Sequence, residues 1–194
     1  MRALRIIGGI VLALVVALVG YWWFALRGPD IPYDVLDARY ANAQSHFADL
    51  PGGVQLHYRD EGNAREPALL LVHGFGDSFT TWEGWVAALG SRYRIIRIDL
   101  PGHGLTRAPA GYTLSDDKSV ALIHALSLKL GLAKFAIAGN SMGGGVAWQY
   151  ALAYPTQISA LILADAAGWP STTLKSPPLA FRLLQYSWGR AFLA

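Results

Sequence analysis

The chain has 194 residues, a hydrophobic fraction of 53% and no cysteine. It is long enough for one domain with a real core, and without thiols it can hold no disulfide, thiolate metal site or cysteine nucleophile. The formal net charge of +3 is carried by Arg2, Arg5 and Arg27; the 13 basic and 13 acidic residues after position 27 cancel, so the high pI is no sign of nucleic-acid binding.

From Ile6 to Leu26, IIGGIVLALVVALVGYWWFAL, there are 21 residues without a charge. As a helix rising about 1.5 Å per residue, this run covers ~30 Å, the hydrocarbon thickness of a bilayer. Tyr21 to Phe24 place amphipathic rings at its far end, where the headgroup region favours them. A cleaved signal peptide needs a shorter apolar run and small residues at the cleavage site, but bulky aromatics stand there. A buried core helix would carry a polar second face, which this run lacks. The expectation is an uncleaved single-pass anchor over residues 1–27. Arg2 and Arg5 keep its N-terminus cytoplasmic, and the rest of the chain faces the periplasmic or extracellular side.

Residues 28–51 read as an ordered linker with prolines, glycines and scattered polar groups but no strong periodicity. GVQLHYRDEG, residues 53–62, then alternates, with Val54, Leu56 and Tyr58 on one face and Gln55, His57 and Arg59 on the other. The pattern predicts a half-buried strand near a sheet edge, with His57 solvated. ALLLV (68–72), YRIIRIDL (93–100), FAIAG (135–139) and ALILAD (160–165) are short apolar runs that fit strands covered on both faces. Helical patterns lie between them, at 78–90, 115–131 and 142–155. The second carries Asp116 and Asp117 at its start and Gly131 at its C′ position. Strands alternating with helices predict βαβ units and a mostly parallel sheet with flanking helices. Prolines and an aromatic, leucine-rich helical pattern follow in 171–194.

Gly139-Asn140-Ser141-Met142-Gly143 matches G-x-S-x-G between a predicted strand and a predicted helix, the context that gives this motif meaning. A serine on such a turn is strained, and side chains on its neighbours would clash with the adjoining strand and helix. The turn lifts the hydroxyl clear of the sheet edge. The helix behind it offers free N–H groups and a positive end to a developing oxyanion. All five histidines precede Ser141.

Three segments together, VHGFGDS (72–78), DLPGHG (99–104) and GNSMGG (139–144), make the chain resemble the α/β-hydrolase superfamily over roughly residues 52–170. Within it, the pattern is similar to membrane-anchored monoacylglycerol lipases and to bacterial esterases and carbon–carbon bond hydrolases. The resemblance implies Ser141 as nucleophile and the backbone N–H groups of Phe75 and Met142 as the oxyanion hole, with His73, Gly74 and Gly76 in the supporting loop. It implies that His103 is structural and that Asp99 orders a loop. Asp165, at the end of the strand after the nucleophile helix, is a possible triad acid, as in haloalkane dehalogenases; otherwise it caps a turn. The family's triad runs Ser, acid, His. The histidine, and by most members' pattern the acid, is therefore expected beyond Ala194, with 171–194 opening a lid. No metal or cofactor is implied. The implied activity is acyl transfer from carboxylic esters with apolar acyl groups. Carbon–carbon cleavage and a non-catalytic membrane-tethered binding domain are the alternatives.

Overall fold

The computed structural model describes residues 2–26, 31–168 and 179–183. It divides into two units, one formed by residues 1–32 with 171–194, the other by 33–170. In the first, helix α1 (Arg2–Tyr21) runs into a π-helical turn at Trp22–Leu26. The segment Arg5–Phe24 is long and apolar enough to cross a membrane, and none of it is buried. The expected lid segment, 171–194, lies outside the described residues except for the short helix α6 (Leu179–Leu183).

In the second unit, α2 (Tyr33–Tyr40) and β1 (Ser45–Leu50) precede β2 (Val54–Gly62), β3 (Ala68–Val72) and α3 (Glu83–Leu89). Then come β4 (Arg94–Ile98), α4 (Asp116–Lys129), β5 (Phe135–Asn140), α5 (Met142–Ala153) and β6 (Ile158–Ala164). The six strands form one sheet in the order β1-β2-β4-β3-β5-β6. β2 is antiparallel to β1 and β4, and the remaining neighbours are parallel. The crossover between β3 and β4 puts the apolar β3 at the centre of the parallel block, where both of its faces are covered.

Alternate residues of β3 serve two cores, as a two-residue side-chain period requires. Leu70 and Val72 pack with Ile96, Ile98, Ile123, Leu126, Val146 and Tyr150. Leu69 and Leu71 pack with Trp82 and Ile95, flanked by Trp85, Val86 and Leu89. Helix α4 starts at Ser115, whose hydroxyl accepts from Lys118 N–H, and carries Asp116 and Asp117 in its positive first turn. It stops at Gly131, at φ 66°. There, Leu132 N–H reaches Ser127 C=O and Gly131 N–H reaches Leu128 C=O, a Schellman closure.

Two sequence expectations need correction. The segment read as linker contributes α2 and β1, and β1 forms the sheet edge beside β2. Its strand SHFADL shows neither polar–apolar alternation nor an unbroken apolar run. In addition, His57 and Arg59 are buried, not solvated. The polar face of β2 is covered by rings: His57 lies 5.2 Å from Phe47 and 5.1 Å from Phe79. The Arg59 guanidinium lies 4.3 Å from the Phe79 ring centre, and that of Arg97 5.1 Å from it. Cation–π contact lets both charges leave water beside an aromatic ring, and Glu61 answers Arg97 at 2.6 Å.

Candidate active site

β5 ends at Asn140 and α5 begins at Met142, so the chain turns on the single residue Ser141. Its backbone sits at φ 49°, ψ −114°, a conformation that costs a non-glycine residue about 1–3 kcal/mol. Its surroundings hold it there. Ser141 N–H donates to Ala164 C=O at 2.9 Å, and Ser141 C=O accepts from Ala167 N–H at 2.8 Å and Gly145 N–H at 3.1 Å. Two close approaches forbid side chains: a Cβ on Gly139 would lie 2.2 Å from Gly143 O, and one on Gly143 would lie 2.3 Å from Val72 O. The serine itself is exposed.

The loop after β3 lies against this turn. A Cβ on Gly74 would come within 2.8 Å of Asn140 Oδ1 and 3.4 Å of Ser141 Cβ. A set of hydrogen bonds fixes the loop. His73 Nε2 accepts from Leu100 N–H at 3.0 Å, which leaves the ring proton on Nδ1, donated to Gly74 C=O at 2.7 Å. Gly76 N–H donates to His103 Nε2 at 3.3 Å, while His103 Nδ1 faces Pro101 C=O at the same distance. Phe79 N–H donates to Asp99 Oδ1 at 2.8 Å. Burial pushes the His73 ring below the ordinary histidine range, outweighing the opposing pull of the Gly74 bond and of Asp99. The Thr81 hydroxyl bond lowers Asp77, which also receives Ser78 N–H.

Phe75 and Met142 both line a cavity of about 550 Å³ whose wall also includes His103, Leu114, Asp116 and Val146. The structure thus brings Ser141, Gly74, Phe75, Gly76, His73 and Met142 into one neighbourhood. Asp165 follows β6 with its own positive φ of 47° and is exposed. Its carboxylate has no hydrogen-bond partner among the described residues, and no described histidine bonds either Asp165 or Ser141 Oγ. His46 stacks on Tyr58, and His124 on Tyr154. Among the described residues no group of three metal-ligating side chains forms. Sequence reasoning missed the His57–Asp99 pair, because alternation put His57 on a face that only the covering rings make interior.

A parallel sheet with a serine on the turn after a central strand, faced by a His-Gly loop, is the arrangement of an α/β hydrolase. The chain belongs to that family: a model for the alpha/beta hydrolase fold matches residues 67–193. It is similar to an uncharacterized protein of Mycobacterium tuberculosis, 38% identical over 146 residues that cover 73% of this chain and 40% of the relative. It is similar also to a 2-hydroxy-6-oxononadienedioate/2-hydroxy-6-oxononatrienedioate hydrolase of Burkholderia vietnamiensis, 31% identical across 76% of this chain and 51% of that protein. Among solved structures, a membrane phospholipase A described as a bacterial virulence factor aligns with TM-score 0.66 and 28% identity. That alignment covers 95% of this chain and 57% of the phospholipase. The chain spans about half the length of these relatives, or less.

Proposed function

We propose that this chain carries the nucleophile half of a serine hydrolase that cleaves carboxylic esters with uncharged, apolar acyl groups. The observation that carries the reading is Ser141: strained, exposed, and set between the start of α5 and the Gly74–Gly76 loop. In the proposed reaction Ser141 Oγ attacks the ester carbonyl while its proton passes to a base, and the carbonyl oxygen becomes an oxyanion. The N–H groups of Met142 and Phe75 receive that oxygen. Collapse expels the alcohol, protonated as it leaves, and forms the acyl-enzyme, which water then hydrolyses. His73 and His103 are engaged with backbone groups and no described histidine bonds Ser141 Oγ, so in this reading the base is a group other than the five histidines.

The cavity supports esters over dienedioate-type carbon–carbon substrates. Among the described residues its lining includes one carboxylate side chain, Asp116, held by Gln149 Nε2 at 2.7 Å, and no lysine or arginine. A substrate arm ending in a carboxylate would meet like charge there, whereas an alkyl arm fits Leu114, Met142 and Val146. The phospholipase likeness and the exposed apolar α1 favour a lipid ester met at a membrane, with α1 as the anchor, its N-terminus cytoplasmic, and the domain on the outer side. The test is hydrolysis of p-nitrophenyl butyrate against its analogue with a terminal carboxylate. The neutral ester is expected to be favoured at least ~10-fold, and Asp116→Asn to narrow that ratio by ~3-fold through loss of a screened charge contact. Preference for the anionic ester would contradict this reading, and hydrolysis of neither, unchanged by Ser141→Ala, would favour a binding domain.

A further inference from the structure

His57 and Asp99 are fully buried, and the proposed reaction uses neither. His57 Nδ1 lies 2.8 Å from Asp99 Oδ2. Among the described residues His57 Nε2 is buried without a hydrogen-bond partner, and the ring packs against Phe47 and Phe79. An Asp99 carboxylate oxygen can only accept, so Nδ1 carries a proton and donates it to Asp99. The carboxylate in turn receives two backbone N–H groups, Phe79 on Oδ1 at 2.8 Å and Leu105 on Oδ2 at 3.0 Å. These amides sit in the two loops that frame the cavity: Phe79 closes the loop that carries Phe75, and Leu105 closes the one that carries His103. A Cβ on Gly104 would overlap the Asp99 carboxyl at 2.1 Å, so the second loop wraps directly over the acid. The backbone reinforces the pair. Asp99 N–H donates to His57 C=O at 3.0 Å, and the Thr106 hydroxyl accepts from His57 N–H at 2.8 Å and donates to Asp99 C=O at 2.7 Å.

We propose that His57 is a positioning residue for the oxyanion loop, acting through Asp99 to fix Phe79 and so the place of the Phe75 amide. The inference rests on the reading of Ser141 as nucleophile and Phe75 N–H as oxyanion donor. His57 touches no reacting atom. It holds the rotamer of a carboxylate that two loops share, so losing its donor loosens both. Because the orienting bond comes from the δ position, the two amide side chains discriminate: asparagine carries an N–H₂ near the Nδ1 site, while glutamine carries its own one atom further out.

The test compares His57→Asn and His57→Gln in the intact protein by fluorophosphonate labelling rate, ester kinetics and hydrogen exchange. H57N is expected to stay within ~3-fold of wild type. H57Q is expected to lose ~10-fold or more in labelling and in kcat with KM little changed, since a misplaced donor acts on the transition state alone. Amide exchange should rise at Phe75–Phe79 in H57Q and stay unchanged in β5. Equal labelling rates for H57N, H57Q and wild type, with Ser141-dependent labelling intact, would overturn the positioning role alone. Absence of Ser141-dependent labelling in wild type would overturn the nucleophile reading and this inference with it. If H57Q does not fold, His57→Ser, which also lacks an N–H at the Nδ1 site, takes its place in the same comparison: a slower rate than H57N supports the proposal, and a rate equal to H57N and wild type overturns it.

Discussion

Two strand ends in this sheet carry non-glycine residues with positive φ, Ser141 after β5 and Asp165 after β6. They differ in what surrounds them. Ser141 lies on a central strand, braced by three backbone hydrogen bonds and by neighbours too close for side chains. Asp165 follows a strand whose Leu161, Ile162 and Leu163 remain 38–46% exposed, and its own carboxylate is unengaged among the described residues. Positive φ alone therefore does not distinguish the two. Strain that the surrounding packing enforces on a side chain open to solvent is the stronger signal, and it singles out the serine.

The sharpest way to break the comparison is to remove the hydroxyl. Ser141→Ala is expected to lower ester turnover by ~1,000-fold or more with little change in melting temperature. Crowding the brace comes next. Gly143→Val drives carbon into the Val72 and His73 carbonyls and should cost about 3 kcal/mol in urea unfolding, the upper range for overpacking. Asp165→Asn should change turnover by less than ~5-fold; a loss of ~10,000-fold, as for a triad acid, would place that residue in the catalytic set. Smaller still, Ser141→Gly and Asp165→Gly should each gain about 1 kcal/mol by relieving positive φ; a gain at only one site would show that the strain is unequal.

Much of this contrast was legible in the residues. The glycines around Ser141 announce close backbone approach, and ALLLV reads as a strand covered on both faces because it lacks a polar alternate. The ends of α4 are spelled out by Asp116 and Asp117 in its first turn and by Gly131 after its last. The polar face of β2 was not legible. Alternation assigns His57 and Arg59 to solvent, and only the arrival of Phe79, and of Phe47 from the short β1, makes that face interior. Polar residues that pair with rings and with a buried carboxylate follow no period. The role of Asp165 was ambiguous for another reason: a strand-end carboxylate suits either an acid or a turn, and only its partners decide.

The smallest effect concerns pH. The His73 ring is held below its unfolded value of about 6.5 by burial. The unfolded chain therefore takes up a proton first as pH falls, so this contribution to stability is complete above about 6.5 and is lost on going down towards the folded value. A urea midpoint that falls on acidification in wild type should fall less in His73→Gln.

The central claim is that the turn after β5 presents a reactive hydroxyl. Its most direct measurement is mass spectrometry of the intact protein after exposure to a fluorophosphonate. One phosphonyl group is expected on the peptide containing Ser141, absent in Ser141→Ala. An unmodified Ser141, or a label that persists in the alanine variant, would contradict it.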